Sequence, residues 1–293
     1  MERIKKALEL ARQERIKNGG KITGSIAKPE RKQKSVEEQN ITYTNTRTVP
    51  MPVNDLREKR IITEQQNSIS DAYRILRTQV LQRLNEKNWN TLAITSPGSG
   101  AGKSLTAINL AISLAREIDN TVLLIDANLR SPKLDKYFDF HSEYGLSDYL
   151  LQDKPLSEML VNPEGISRFV LLPAGRAIAN SSEMLSSPKM QRLVEEVKHR
   201  YPSRIVIFDL PPILESSDTL AFIPNADTTL VVIEEGCTQE ADLKQAFELL
   251  QGNEVIGTVL NKAYTADKDY AGLAIKQGWI SRFITKLSKK SLN

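Results

Sequence analysis

Short apolar runs recur through the middle of the chain, each bounded by polar or turn-forming residues. They are Thr91-Leu92-Ala93-Ile94-Thr95, Thr121-Val122-Leu123-Leu124-Ile125-Asp126, Phe169-Val170-Leu171-Leu172, Arg204-Ile205-Val206-Ile207-Phe208-Asp209, Thr229-Leu230-Val231-Val232-Ile233 and Val255-Ile256-Gly257-Thr258-Val259-Leu260. These runs are near-continuously apolar, which is how a strand buried on both faces reads. Stretches with helical spacing lie between them. The alternation predicts an α/β fold, a doubly wound, mostly parallel sheet with helices on both faces.

The pattern changes toward both ends. In residues 1–17, Ile4, Ala7, Leu8 and Ala11 fall at helical spacing among Lys, Arg and Glu, so a short amphipathic helix is expected, closed by Gly19-Gly20. From there to about residue 60 the chain is polar and carries Pro29, Pro50 and Pro52, which reads as a disordered linker. Near residues 71–81 a helix returns, with Tyr73, Leu76, Val80 and Leu84 as its apolar stripe. On its polar side Asp71, Arg74 and Arg77 recur every three residues, close enough to act together. Such a charged face either pairs with a neighbouring subunit or is simply solvated. The domain expected from this reading spans 61–262, followed by a tail at 263–293. In that tail Ile275, Trp279, Ile280, Phe283, Ile284 and Leu287 form one stripe edged by Lys276, Arg282, Lys286, Lys289 and Lys290. A basic amphipathic helix of this kind either lies on an anionic membrane surface or packs on its own domain.

Composition narrows the function classes. There is no run of about 18 apolar residues to span a bilayer, and the N-terminus lacks the apolar centre of a secretory signal. Cys237 is the single cysteine, so an internal disulfide is excluded, and with two histidines a zinc site is disfavoured. The net charge of +4 is unevenly spread. Residues 1–60 hold 15 Lys and Arg against 8 Asp and Glu, and residues 273–293 hold five against none. The remainder is therefore −8, a poor match for nucleic acid, and no nucleic-acid partner is expected.

The chemistry gathers at Ser96-Pro97-Gly98-Ser99-Gly100-Ala101-Gly102-Lys103-Ser104, between the first buried run and a helix-like stretch from Leu105 to Arg116. Strand, glycine loop and helix are the context of the phosphate-binding P-loop, G-x-x-x-x-G-K-[ST], although Pro97 stands at its first glycine. Backbone N–H groups of such a loop form an anion nest at the positive end of the helix. In that role Ser99, Gly100, Ala101, Gly102, Lys103, Ser104 and Leu105 bind nucleotide, Lys103 reaches the terminal phosphates and Ser104 ligates Mg²⁺. Two buried runs end in acids, Asp126 and Asp209, and the first delivers Asn128 and Arg130 into the loop beyond it. Either acid alone is explained by capping a following helix. Together, beside a P-loop serine, they suit Mg²⁺ held largely through its waters, with one able to take a proton from an attacking hydroxyl.

Over roughly residues 56–262 the ordered set of motifs resembles the bacterial tyrosine kinases of capsule and exopolysaccharide loci, relatives of the septum-positioning and partition ATPases. Asp71-x-x-Arg74-x-x-Arg77 resembles that family's E-x-x-R-x-x-R oligomerisation helix. Asp126-Ala127-Asn128-Leu129-Arg130 resembles its D-x-D-x-R motif with Asn128 at the second acid, and Phe208-Asp209-Leu210-Pro211-Pro212 resembles its Walker B segment. Gly145-Leu146-Ser147-Asp148, Leu172-Pro173-Ala174-Gly175 and Ser182-Glu183-Met184-Leu185 are further echoes, and Val259-Leu260-Asn261 resembles the stretch whose asparagine meets adenine. Gly98 stands where partition ATPases carry an extra lysine.

The resemblance implies a P-loop NTPase fold and an ATP- and Mg²⁺-dependent protein-tyrosine autokinase of exopolysaccharide export. Its catalytic group is then Lys103, Asp126, Arg130 and Asp209, and its metal group Ser104, Asp126, Asn128 and Asp209. The implied partners are further copies of the chain in a ring, the cytoplasmic tail of a membrane copolymerase and a cognate phosphatase. The implied location is cytoplasmic, peripheral at the inner face of the membrane. Tyr264 and Tyr270 are the candidate phospho-acceptors. The alternative reading is an ATP-hydrolysing switch of the same machinery that transfers nothing to tyrosine.

Overall fold

The computed structural model describes residues 46–263 apart from 52, 64, 66 and 200–202. The expected helix at 1–17, Tyr264, Tyr270 and the basic helix at 273–293 lie outside the described residues. The strands are β1 (Arg47–Val49), β2 (Thr91–Thr95), β3 (Thr121–Asp126), β4 (Val161–Pro163), β5 (Phe169–Leu172), β6 (Arg204–Asp209), β7 (Thr228–Glu234) and β8 (Val255–Asn261). They form an eight-stranded sheet in the order β1-β4-β5-β3-β6-β2-β7-β8. Every neighbouring pair is parallel except β4 and β5, which meet antiparallel at Val161 and Leu171. This is the predicted doubly wound sheet, its central strands being the apolar runs.

Those runs are continuous because both faces are covered. Leu92, Ile94, Leu124, Ile207 and Leu230 point into one core, shared with α2 (Ser68–Lys87) through Leu76, Val80 and Leu84 and with α3 (Lys103–Ala115) through Ile108 and Ile112. Ala93, Leu123, Ile125, Val206, Phe208 and Val231 point into the other. There they meet Leu193 and Val197 of α7 (Pro188–His199) and Phe247 of α9 (Glu240–Leu249). α3 runs through the middle of its layer with every residue but Leu105 buried. α2 begins at a reciprocal cap: Asn67 Oδ1 accepts from Ser70 N at 2.8 Å and Ser70 Oγ from Asn67 N at 3.0 Å.

The linker reading does not hold for residues 46–60. β1 adds to β4, and α1 (Val53–Glu58) buries Leu56 in the core under α2 and α3. These elements have no periodic signal: β1 has three residues, two of them exposed, and its order comes from the edge it pairs with. β4 was unpredicted for the same reason. The following residues are fastened by a buried side chain. Asn109 of α3 accepts from Ile62 N at 2.9 Å through Oδ1 and donates to Arg60 O at 3.0 Å through Nδ2, while Ile61 and Ile62 enter the core.

Asn109→Ala strands that N–H and C=O against the helix, so a loss of about 2 kcal/mol is expected in a denaturant melt. An unchanged midpoint contradicts this fastening role.

Candidate functional site

β2 ends at Thr95, and the glycine loop turns the chain into α3 with Gly102 at the helix start. Gly100 and Gly102 take φ values of 87° and 85°, which side chains rarely adopt. At Gly102 space forbids a side chain as well, since a Cβ would stand 2.2 Å from Asn261 Nδ2. That amide, at the end of β8, donates to Ala101 O at 2.8 Å. Asn261 thus closes on the loop. Lys103 and Ser104 are buried, with Lys103 Nζ 3.3 Å from Ser104 Oγ and 3.5 Å from Asp209 Oδ1.

The acids come together because the strands do. β3 and β6 are neighbours in a register that sets Asp126 directly beside Asp209, both buried. Asp126 also performs the structural task expected of a lone strand-end acid. Its Oδ1 accepts from Asn128 N at 3.1 Å, and its Oδ2 from Lys133 N and Leu134 N at 3.0 Å, fixing the loop and the start of α4 (Leu134–Tyr137). Burial first, and then the Asp209 charge, push the Asp126 carboxyl up to about 7, against the pull of those three N–H groups. Tyr137, half-buried at the end of α4, is raised by burial and by the same Asp209 charge. Asn128 is buried near the pair; its Oδ1 accepts from Ser131 N at 3.3 Å. Two carboxylates, a hydroxyl and an amide oxygen are a hard-oxygen set suited to Mg²⁺, and a buried pair of like charges gains from any cation. Among the described residues, no three His, Cys, Asp or Glu form a cluster.

Arg130 lies on the loop after β3, half-exposed, at the same edge. Asp71 and Arg74 pair with each other at 2.7 Å on the exposed face of α2. Arg77 does not share that face. Its guanidinium is bound within the chain, to Glu117 Oε1 at 2.7 Å and Ser113 O at 3.1 Å, where it ties α2 to the end of α3. The echoes around Gly145 and Gly175 are joined by packing. Leu146 N and Ser147 N donate to Pro173 O and Ala174 O, and a Cβ on Gly145 would fall 2.2 Å from Gly175 N.

Two acids were missed from the sequence. Glu215 grips the glycine loop: Oε1 accepts from Ser99 N and Oε2 from Ser99 Oγ, both at 2.5 Å. The stretch leading to it is stitched to the loop's approach by Thr95 Oγ1 to Pro211 O, Ile213 N to Ser96 O and Leu214 N to Pro97 O. Asp218, buried in α8 (Ser217–Phe222), faces Arg130. Their signal is position alone: both follow β6 at the carboxyl ends of the strands, where open α/β sheets place ligands.

A P-loop on the carboxyl edge of a doubly wound sheet, with its lysine against a strand-end acid, marks a nucleotide-binding protein of the P-loop class. Residues 89–261 match the AAA domain family. Tyrosine-protein kinase YwqD of Bacillus subtilis is 32% identical over 224 residues, covering 75% of this chain and 93% of its own. Tyrosine-protein kinase ptk of Acinetobacter johnsonii is 30% identical over 68% of this chain, which spans 27% of that longer protein. Among solved structures, the kinase domain of Escherichia coli tyrosine kinase ETK superposes with a TM-score of 0.63 and 29% identity, covering 75% of this chain and 92% of that one. The chain belongs to the bacterial tyrosine kinase family, related to the septum-positioning and partition ATPases, and its class is protein-tyrosine kinase.

Glu215 holds N–H and O–H donors that a phosphate would use, and it brings a negative charge to the nest. Glu215→Gln is expected to tighten ADP binding about fivefold, the equivalent of ~1 kcal/mol, by calorimetry. Equal or weaker binding contradicts competition between this carboxylate and the phosphates.

Proposed function

We propose that the protein is an Mg-ATP-dependent tyrosine autokinase that regulates exopolysaccharide or capsule polymerisation and export. The observation that carries this reading is the convergence of Lys103, Ser104, Asp209 and Asp126 at one edge of the sheet, with Lys103 Nζ 3.5 Å from Asp209 and the two acids in register. Ser99 to Leu105 bind the phosphates through backbone N–H groups, and Asn261 sits toward the base. Ser104, Asp126, Asn128 and Asp209 would hold Mg²⁺, which would supply positive charge to the phosphate oxygens. Lys103 and Arg130 supply positive charge to the phosphoryl group in transfer.

The reaction balances within these groups. The acceptor phenol oxygen forms a bond to the γ-phosphorus, the bond to the ADP oxygen breaks, and the phenolic proton passes to Asp126. In the metal-free chain burial and the Asp209 charge raise the Asp126 carboxyl, and a bound cation would lower it again. The acceptors are Tyr264 and Tyr270 in the tail of a neighbouring copy, and added phosphate charge loosens the assembly. Asp71 and Arg74 provide the exposed charges of a ring contact. The wider setting follows the family resemblance: a membrane copolymerase tail as activator, a phosphatase in opposition, and a cytoplasmic position against the inner leaflet aided by residues 273–293. No described helix is long and apolar enough to cross a membrane.

Incubation of the full chain with Mg-ATP, with and without a copolymerase tail, read by anti-phosphotyrosine and by phosphate release, tests this. The expected result is phosphotyrosine mapped to residue 264 or 270, lowered on the order of a hundredfold or more in Lys103→Ala. Phosphate release with no phosphotyrosine under either condition overturns the proposal.

A further inference from the structure

Among the described residues, the buried acid on α8 has a single charged partner. Asp218 is 0% exposed, and neither carboxylate oxygen makes a hydrogen bond. Its backbone N–H donates to Ser216 Oγ at 3.2 Å, so the start of α8 is capped without the Asp218 side chain. An aspartate at a helix start is ordinarily solvated. Here it is sealed off, where an unpaired charge is costly. Its ion-pair partner is Arg130, with Nε 3.3 Å from Oδ1.

Arg130 is held by one edge only. Its Nε donates to Ser181 Oγ at 3.1 Å, and Ser181 is itself buried at the start of α6 (Ser181–Leu185), which packs beside α8. Its side chain is 50% exposed, and among the described residues neither Nη makes a hydrogen bond. The guanidinium thus leaves free the paired N–H edge that suits a phosphate. Its loop is anchored at both ends: Ala127 N donates to Asp209 O at 3.0 Å and Ile178 N to Leu129 O at 3.0 Å. A surface arginine loses rotamer freedom when it is fixed, and a fully desolvated carboxylate supplies a field strong enough to fix it.

We infer that Asp218 is a positioning residue, whose buried charge holds the Arg130 guanidinium turned toward the phosphoryl group in transfer. The inference rests on the role proposed for Arg130 above. Asp218 touches no reacting atom and exchanges no proton. It replaces the entropy that a free arginine would lose at the transition state with a geometry set beforehand.

The test uses the full chain and its Asp218→Asn, Arg130→Gln and double variants. Their melting midpoints are measured, with kcat and KM for ATP from ADP formation in Mg-ATP. Asp218→Asn keeps the shape and removes the buried charge, so its midpoint is expected to hold or rise while kcat falls on the order of tenfold at an unchanged KM. Arg130→Gln is expected to lower both kcat and the midpoint, leaving Asp218 uncompensated. The double variant is expected to regain the lost midpoint and to turn over no more slowly than Arg130→Gln. Wild-type kcat in Arg130→Gln means that the reading of Arg130 fails, and this inference with it. A slow Arg130→Gln beside an unimpaired Asp218→Asn, or two losses that multiply in the double variant, overturns the positioning role alone. A double variant that melts no higher than Arg130→Gln removes the ion pair on which it stands.

Discussion

Two carboxylates set side by side in a dry place are the constraint around which this structure is arranged. Adjacent parallel strands lie about 4.8 Å apart, and Asp126 and Asp209 end such a pair in direct register. Neither is exposed enough for water to separate their charges. Lys103 answers Asp209 from 3.5 Å, and three backbone N–H groups answer Asp126 without cancelling the cost of its burial. The metal-free fold therefore opposes the ionisation of Asp126. Its contribution to stability is complete below about 3.8, the ordinary value, and is lost as the pH rises toward 7. A divalent cation at this site would reverse that sign, so a cost to the empty fold would suit the metal-nucleotide complex proposed for it.

The same acids organise the surrounding chain. Asp126 draws the loop through Asn128 and Lys133 into one conformation and starts α4, which brings Tyr137 under the influence of Asp209. After Asp209 the chain runs along the glycine loop and ends that contact with Glu215 on Ser99. Pro97 has no N–H to offer, and the loop's approach is held instead from this neighbouring strand end. The approach side of the glycine loop thus depends on the segment between β6 and α8 and its far side on Asn261 of β8, while α8 carries the buried acid paired with Arg130.

The sheet and its two layers were legible because the strands are buried on both faces and their apolar runs have no second interpretation. The glycine loop and the strand-end acids were legible because their spacing has a chemical reason. β1, α1 and β4 were not, since three residues at an edge take their order from a partner rather than from their own pattern. Arg77 shows a different limit. Spacing put it on a face with Asp71 and Arg74, whereas its long side chain reaches Glu117 across the α2–α3 contact. Glu215 and Asp218 were hidden because nothing local distinguishes an acid that grips a loop or sits buried against an arginine from one that lies in solvent.

Carboxyl-labelled aspartate NMR, following Asp126 through a pH titration of the metal-free protein and again with Mg²⁺, examines the acid pair itself. Titration near 7 that moves downward on adding the cation is the predicted result. A carboxyl that titrates near 3.8 in both conditions would mean that the two acids neither share a dry site nor await a cation, and the account would fail at its centre.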